Sequence, residues 1–461
     1  MEEVERGVVT SETILKAYTI GDGATSNAVA EQSAATLFQN HGSIVPPYDP
    51  NTLTTVFEHS NSLRSNVDAM VTNIDGFGHH FLPIIDPEND DKVKDKVRRA
   101  LFVERLIKSN GSFESVEQPT DVEVDKKLEE LDALMAVELF KLKRFFDFVC
   151  VDQSFVALRK KTRQDLEITG NAYWEVVRGR DGKLWASTFN WLASRTMRLL
   201  PQDTRYVEVD APTRIGPLTV STDKVKRRFR RFIQVVDTKN VFFKEYGDPR
   251  TYSAATGREY PSLNDLEKAE KGVAAATEVI HFAIHSSRGP YGVPRWIGNL
   301  LSVLGSRQAE EVNFLYFENK SVPPMALIVS GGKVSADTVS RVSDYIKNEI
   351  RGKSNFHKIL VIEAVGSSDN GADPSRMRVE LKPLTSAQHS DGLFQKYDER
   401  NIDKVGMSFR LSRMLRGDVR DFNRATANAA LEFAESQVFN PEREAFDFTI
   451  DRLILAELGV R

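Results

Sequence analysis

The stretch "RGPYGVPRW", Arg288 to Trp296, places two glycines, two prolines and two aromatics in nine residues. A helical pattern follows it at once, with Ile297, Leu300, Leu301, Leu304, Val312 and Leu315 at spacings built from three and four. A plain linker has no use for a Tyr and a Trp. So rigid a turn in front of a rod suits a chain that must hold a fixed angle between two bodies. Pro294 fits the first turn of a helix, where its missing N–H costs nothing. The pattern predicts one helix over Trp296–Phe317, roughly 33 Å long at 1.5 Å per residue.

What lies beyond that rod narrows the fold further. "NKSVPP" ends it, and "MALIV", a Gly331-Gly332 turn, a helix capped by Ser335, "KILVIEA" and "MRVELKPL" read as a small strand–helix–strand unit. A second helix over Ser386–Met407 follows and is notably polar, so it bridges solvent or lines something. A small α/β module is thus inserted between two helices. Upstream, residues 1–55 are rich in Ser, Thr, Gly and Asn and read as a flexible arm. One helix is expected from Asn51 to Met70, another over 91–109 and a long one over 121–148. After Lys161 aromatic and β-branched residues take over: "NAYWEVVRG", "DGKLWASTFNWL", "RTMRLL", "RRFIQVV", "NVFFKEYGD" and "VIHFAIH" read as strands, with Asp181-Gly182 as a two-residue hairpin turn. A last helix begins near Asn423 and meets Pro441. The fold class is α+β.

Composition closes off several functions. The chain has 461 residues, enough for two to four domains, and a net charge of −4, which argues against a surface that grips nucleic acid throughout. It does not argue against one past which DNA slides. Cys150 is the single cysteine and sits in apolar "FFDFVCVDQ", so it reads as a buried, inert thiol. The N-terminus lacks the basic start and apolar core of a signal peptide, and no run reaches the ~18–20 apolar residues of a membrane span. A reducing cytoplasm is the expected place of folding and assembly.

Motifs for catalysis are missing from the sequence. There is no GxxxxGK[ST], GxSxG or HExxH; "GDGATSN" lacks the Lys and context of a phosphate loop. "DPENDD" lacks the turn Gly and terminal Glu of a calcium loop. His281 and His285 sit in a segment that reads as a strand, with no third ligand, and His79-His80 cannot share a face. No enzyme activity, cofactor or metal is expected. "KVKRRFRR", Lys224–Arg231, has six basic residues in eight and leaves two readings: a nucleic-acid patch, or a solvated strand against an acidic neighbour.

Three segments, in order, resemble the portal proteins of tailed bacteriophages: "TGNAYWEVVRGRDGKL" (Thr169–Leu184), "YGVPRWIG" with "NFLYFEN" and "VPPMALIVSGG", and "FNRATANAALEFAESQVFNPE" (Phe422–Glu442). The resemblance covers Leu166 to the C-terminus. It implies a portal-type fold: a mainly helical wing over 56–287, β-rich in its later part, a first stem helix over 288–318, an α/β clip over 319–385, a second stem helix over 386–407, a tunnel loop over 408–424 and C-terminal wing helices over 425–461, with a crown absent or very short. It implies a homo-oligomeric ring, a dodecamer in most of the family, at one capsid vertex of a virion. Double-stranded DNA would pass through it without sequence preference, driven by a terminase motor, with the major capsid protein and neck or adaptor proteins as further partners and no membrane. Tyr291, Gly292, Pro294 and Trp296 would form the wing–stem junction. Lys347, Arg351 and Lys353 at a clip helix end would dock partners, a place the helix dipole alone also favours for cations. Arg410, Arg413, Arg416 and Arg420 would face DNA from the tunnel loop, unless they pair with Asp418, Asp421 or a neighbour's acids. Ser412-Arg413 stand where the family commonly has a proline. The alternatives are a nucleic-acid-processing enzyme and another virion neck or adaptor ring protein.

Overall fold

The structure is a computed structural model and describes residues 42–82, 92–108, 117–179, 181–214, 220–236, 239–319, 325–330, 360–361, 378–383, 395–418 and 423–459. Helix and sheet are mixed in two compact units. One comprises Met1–Glu58, Arg64–Ile297 and Met414–Arg461; the other His59–Leu63 and Gly298–Arg413.

The strands of the first unit are β1 Asn171–Val177, β2 Thr188–Leu192, β3 Met197–Leu199, β4 Val207–Arg214, β5 Val220–Arg227, β6 Arg231–Val236, β7 Lys239–Glu245, β8 Thr251–Tyr252, β9 Glu259–Tyr260 and β10 Glu278–Ala283. Six of them form one sheet in the order β2-β1-β10-β7-β6-β3. Only its β10–β7 pair is parallel. Both faces are covered. On one, Trp174 and Val176 of β1 and Phe282 of β10 join a core completed by helices: Phe145 and Phe146 of a long helix over Asp121–Phe148, Leu158 and Leu166 of a helix over Phe155–Thr169, and Phe446 and Ile450 from the C-terminal segment. On the other, Tyr173, Leu199, Phe232 and Val279 pack with Tyr291 and Ile44. Two-sided burial explains why these strands read as nearly continuous apolar runs.

Local chemistry sets the ends of these helices. Thr120 and Glu123 form a capping box at the start of the long helix. Ser154 Oγ accepts from Ala157 N at 3.1 Å, and Gly170, at φ +80°, ends the helix Phe155–Thr169. That helix escaped the sequence reading.

Several boundaries move. The expected arm does not extend to residue 55: a helix, α1, spans Pro50–His59 and buries Leu53, and Ile44 N donates to Leu199 O at 2.8 Å. The single helix expected from Asn51 to Met70 is two, the second (α2) spanning Asn61–Asp75 after a break at buried Ser60, whose Oγ accepts from Leu63 N. Further on lie α3 (Val93–Lys108) and then the long helix and its successor, α4 (Asp121–Phe148) and α5 (Phe155–Thr169). Gly182 takes its turn at φ +71°, but a 3-10 turn at Leu184–Ala186 lengthens the β1–β2 connection beyond a two-residue hairpin. Among the described residues, the ribbon of β4 and β5 pairs only with itself. Pro441 does not break the last helix. Arg424–Ala434 and Asn440–Ile450 are joined by a π-turn over Glu435–Phe439, and a second π-turn over Asp451–Leu455 leads into Ala456–Leu458. The wider turn ahead of Pro441 accommodates the missing N–H.

In the second unit the rod is the α-helix Leu300–Asn319, preceded by a 3-10 turn at Ile297–Asn299. Pro294 is therefore not its N1 residue; its carbonyl accepts from Ile297 N at 3.2 Å in that turn. The insert carries a three-stranded sheet with Met325–Ser330 in the centre, parallel to Leu360–Val361 and antiparallel to Arg378–Pro383. The helix expected from Ser335 lies outside the described residues. The polar helix spans Gln395–Phe409, and the part expected over 386–394 lies outside the described residues. It buries Asn401, Val405 and Phe409 and packs on the helix Leu300–Asn319, where Gly305 leaves room for the Tyr397 hydroxyl.

Candidate functional site

Residues of Thr169–Leu184, of Tyr291–Ile297 and of Phe422–Glu442 converge in the first unit, while "NFLYFEN" and "VPPMALIVSGG" belong to the second. Arg159, Arg163 and Glu167 recur every four residues on α5, which puts them on one face. Asp75, the last residue of α2, receives Arg159 Nε at 2.8 Å and Arg163 Nε at 3.0 Å. Glu167 is fully buried, accepts from Arg295 Nη2 at 3.0 Å and is ion-paired with Arg295 Nε at 2.7 Å. Glu442, from the segment 422–442, receives Arg295 Nη2 at 2.9 Å and Arg163 Nη1 at 2.7 Å. Three arginines thus face three carboxylates in one connected lattice. Burial pushes the Glu167 carboxyl up, with Arg295 and Arg163 opposing. Burial pushes Glu442 up too, but there Arg295 and Arg163 prevail and its carboxyl is held down.

A second set of contacts is neutral and equally close. Asn171 Oδ1 accepts from Gly292 N at 2.8 Å, and its Nδ2 donates to Gly292 O and Thr169 O, both at 3.1 Å. Ile284 N donates to Gly170 O at 2.9 Å. Gly170 and Gly292 meet backbone to backbone: a Cβ on Gly292 would overlap Gly170 O and lie 2.7 Å from Ile284 N. Tyr291 Oη donates to Ile44 O and accepts from Leu199 N, both at 2.8 Å. Trp296 is fully buried, and its Nε1 donates to Glu167 O at 2.9 Å. Tyr291, Gly292, Pro294 and Trp296 therefore form one locked turn, the last residues of the first unit before the chain enters the second. The sequence reading missed Asp75, Arg159, Arg163, Glu167, Arg295 and Glu442. The signal it passed over was the i, i+4, i+8 row of charges beside "TGNAYW".

Two titrating groups flank this turn. His281 stacks on Tyr173, ring centroids 4.7 Å apart, and its Nε2 donates to Asn171 Oδ1 at 3.1 Å. Burial, with Arg230 nearby, lowers its pKa to about 3. Asp165 accepts from Ser194 N at 3.0 Å and Trp191 Nε1 at 3.1 Å, yet burial raises its carboxyl to about 7. The unfolded chain protonates His281 near pH 6.5 and the native state does not, so the imidazole's contribution is whole above 6.5 and is lost as pH falls. Asp165 works oppositely: the native state keeps a proton that the unfolded chain releases near 3.8, so its contribution is whole below about 4 and is lost as pH rises to about 7. The slopes, each up to about 1.4 kcal/mol per pH unit, offset one another between pH 4 and 6.5. Asp165→Asn should gain stability relative to the wild type as pH rises from 4 to 7, read from urea midpoints. A pH-independent difference would contradict this.

The other sequence candidates fall as follows. Arg413 is paired with Asp403, Nε to Oδ1 at 2.8 Å; Asp421 lies outside the described residues. Arg410 is exposed and left-handed at φ 55°, ending the helix Gln395–Phe409. Arg416 closes a 3-10 turn, Met414–Arg416, so no continuous helix puts these arginines on one face. Arg420, Lys347, Arg351 and Lys353 lie outside the described residues. The basic run Lys224–Arg231 is the strand-and-neighbour case: Lys226 meets Glu208 at 3.7 Å, Arg227 meets Glu245 at 2.5 Å, and Phe229 is buried. Cys150 is buried, its thiol pushed up to about 11 by burial. Among the described residues no group of three or more His, Cys, Asp or Glu could hold a metal, and no helix is long and apolar enough to cross a membrane.

No protein-family profile matches the chain. It is 33% identical over 420 residues to YqbA of Bacillus subtilis (strain 168), covering 90% of this chain and 73% of that protein. It is 34% identical over 427 residues to the phage-like element PBSX protein XkdE of the same organism, covering 90% and 75%. Among solved structures, it is similar to a chain of the native gene transfer agent virion at 14% identity and a TM-score of 0.47, covering 93% of this chain and 87% of that one. An HK97-family phage portal protein from Corynebacterium diphtheriae aligns at 12% identity and a TM-score of 0.27, covering 62% and 68%. With a third of its residues shared over nine-tenths of its length, the chain belongs to the family of YqbA and the phage-like element PBSX protein XkdE.

Proposed function

We propose that this chain is a non-enzymatic portal subunit. It assembles into a closed homo-oligomeric ring, a dodecamer, at one capsid vertex of a virion and forms the channel through which DNA is packaged and ejected. The observation that carries this reading is the convergence of parts of the three segments, Thr169–Asn171, Tyr291–Trp296 and Glu442, on one locked turn, in a chain whose relatives include a phage-element protein. In this reading the first unit is the wing, the helices Leu300–Asn319 and Gln395–Phe409 are the stem, and the small sheet between them belongs to the clip. The clip, with Lys347, Arg351 and Lys353, docks the terminase motor and neck proteins. Arg410, Arg413, Arg416 and Arg420 border the tunnel. Few and non-specific phosphate contacts suit a channel, because strong counterion release would hold the DNA in place. The ring uses no cofactor and needs no membrane.

Repeated heterologous contacts that close on themselves leave no open ends, which makes a ring the expected solution form. Mass photometry should show one multiple of the 51.9 kDa subunit mass, and negative-stain images a ring with an axial hole. A 51.9 kDa species alone across concentrations and buffers would overturn the reading.

A further inference from the structure

A heterologous ring needs two different faces on each copy, and the first unit leaves two helical seams uncovered. On α4, Leu134, Val137, Lys141, Arg144 and Phe148 are exposed at spacings of three and four, with Phe140 (66% exposed) beside them. Phe148 is 73% exposed. This seam runs into an open groove of about 540 Å³ that ends on Trp185. On the C-terminal segment, Phe433, Gln437, Asn440, Glu444 and Phe448 are likewise exposed at spacings of three and four; the two phenylalanines are 55% and 62% exposed. At about 1.5 Å per residue the seams are of similar length, roughly 21 and 22 Å, the π-turn Glu435–Phe439 lying within the second.

Their charges are complementary. Lys141 and Arg144 sit within the first seam and Glu444 within the second, with Glu432 adjoining Phe433. None of the four has an ion-pair partner among the described residues of its own chain. Exposed phenylalanines at both ends, with unpaired charges of opposite sign between, match the anchors and polar filling of a helix-on-helix interface.

We infer that the α4 seam of one copy docks the C-terminal seam of a second copy. The inference rests on the ring reading and names the surfaces that would close it. Reversing charge on one seam with Lys141→Glu and Arg144→Glu should shift the apparent assembly constant at least tenfold toward monomer. Glu432→Lys with Glu444→Lys should do the same. An equimolar mixture of the two variants should reassemble, because each then offers the face the other lacks. Mass photometry reads all three, with wild-type assembly as the separate check on the ring itself. Intact assembly of either variant, or failure of the mixture to reassemble, would overturn the pairing while leaving the ring standing. Circular dichroism reports whether the reversals disturb folding. If they do, Val137→Cys with Gln437→Cys in one chain provides the second test. Oxidation should give covalent multimers, and monomers alone from assembled protein would overturn the pairing. Cys150, being buried, does not compete.

Discussion

Gly292→Ala should cost about 4 kcal/mol or more, the range reserved for severe steric faults. Gly292 does not take a left-handed backbone, so its demand is not conformational. It is the approach of two chain segments: a methyl group would overlap Gly170 O and press on Ile284 N and O at 2.7 and 2.8 Å. All three atoms are backbone and cannot rotate away. The same shift would break the Asn171 hydrogen bonds to Gly292, which hold the turn from the other side. Gly182→Ala is the matched control. It sits at φ +71° with nothing within 4 Å of a new Cβ, so it should lose only the left-handed penalty of about 1–2 kcal/mol. Guanidinium midpoints of the two variants should differ widely. Equal losses would show that the Gly170–Gly292 contact yields.

That contact shows where sequence reasoning reached and where it stopped. The rigidity of "RGPYGVPRW" was legible because Gly, Pro and aromatic residues carry local information. Its partner surface was not, since Gly170 lies more than a hundred residues away and signals only a helix end. The strands "NAYWEVV", "RFIQVV" and "EVIHFA" were legible because burial on both faces leaves apolar, β-branched runs. Of the ribbon Val207–Arg214 with Val220–Arg227 only the basic end was read as a strand; the rest was missed because both strands carry charge and, among the described residues, they join no larger sheet. Helix Phe155–Thr169 was missed because its row Arg159, Arg163, Glu167 reads as a solvated face. The structure shows that face buried and ion-paired with Asp75, Arg295 and Glu442 from three distant segments. Charge says nothing about its own burial until the partners are placed. Pro441 is legible only in part: the sequence announces a missing N–H, and only the π-turn shows how the helix absorbs it.

Arg295→Met tests what the buried charges contribute. Glu167 is fully buried, and its near contacts are both from Arg295; the remaining cation, Arg163 Nη1, stands off at 3.8 Å. Removing Arg295 strands a carboxylate where water cannot reach it. Breaking such a pair from one side costs about 3–5 kcal/mol, far more than the pair adds over an apolar replacement. The loss should depend on pH with a definite sign. Burial already raises Glu167, and without Arg295 the native carboxyl holds its proton to higher pH still. A group raised in the native state stabilises fully below its unfolded value, near 4.5, and that contribution is lost as pH rises. The deficit of Arg295→Met should therefore be small in acid and grow toward neutrality. Replacing both partners, Arg295→Met with Glu167→Met, should recover most of the loss and flatten the pH dependence. Glu442 keeps Arg163 in that double variant, so no charge is left alone. A double variant as unstable as the single one, at every pH, would mean that the shape of Arg295 between Pro294 and Trp296 holds the junction and its charge does not.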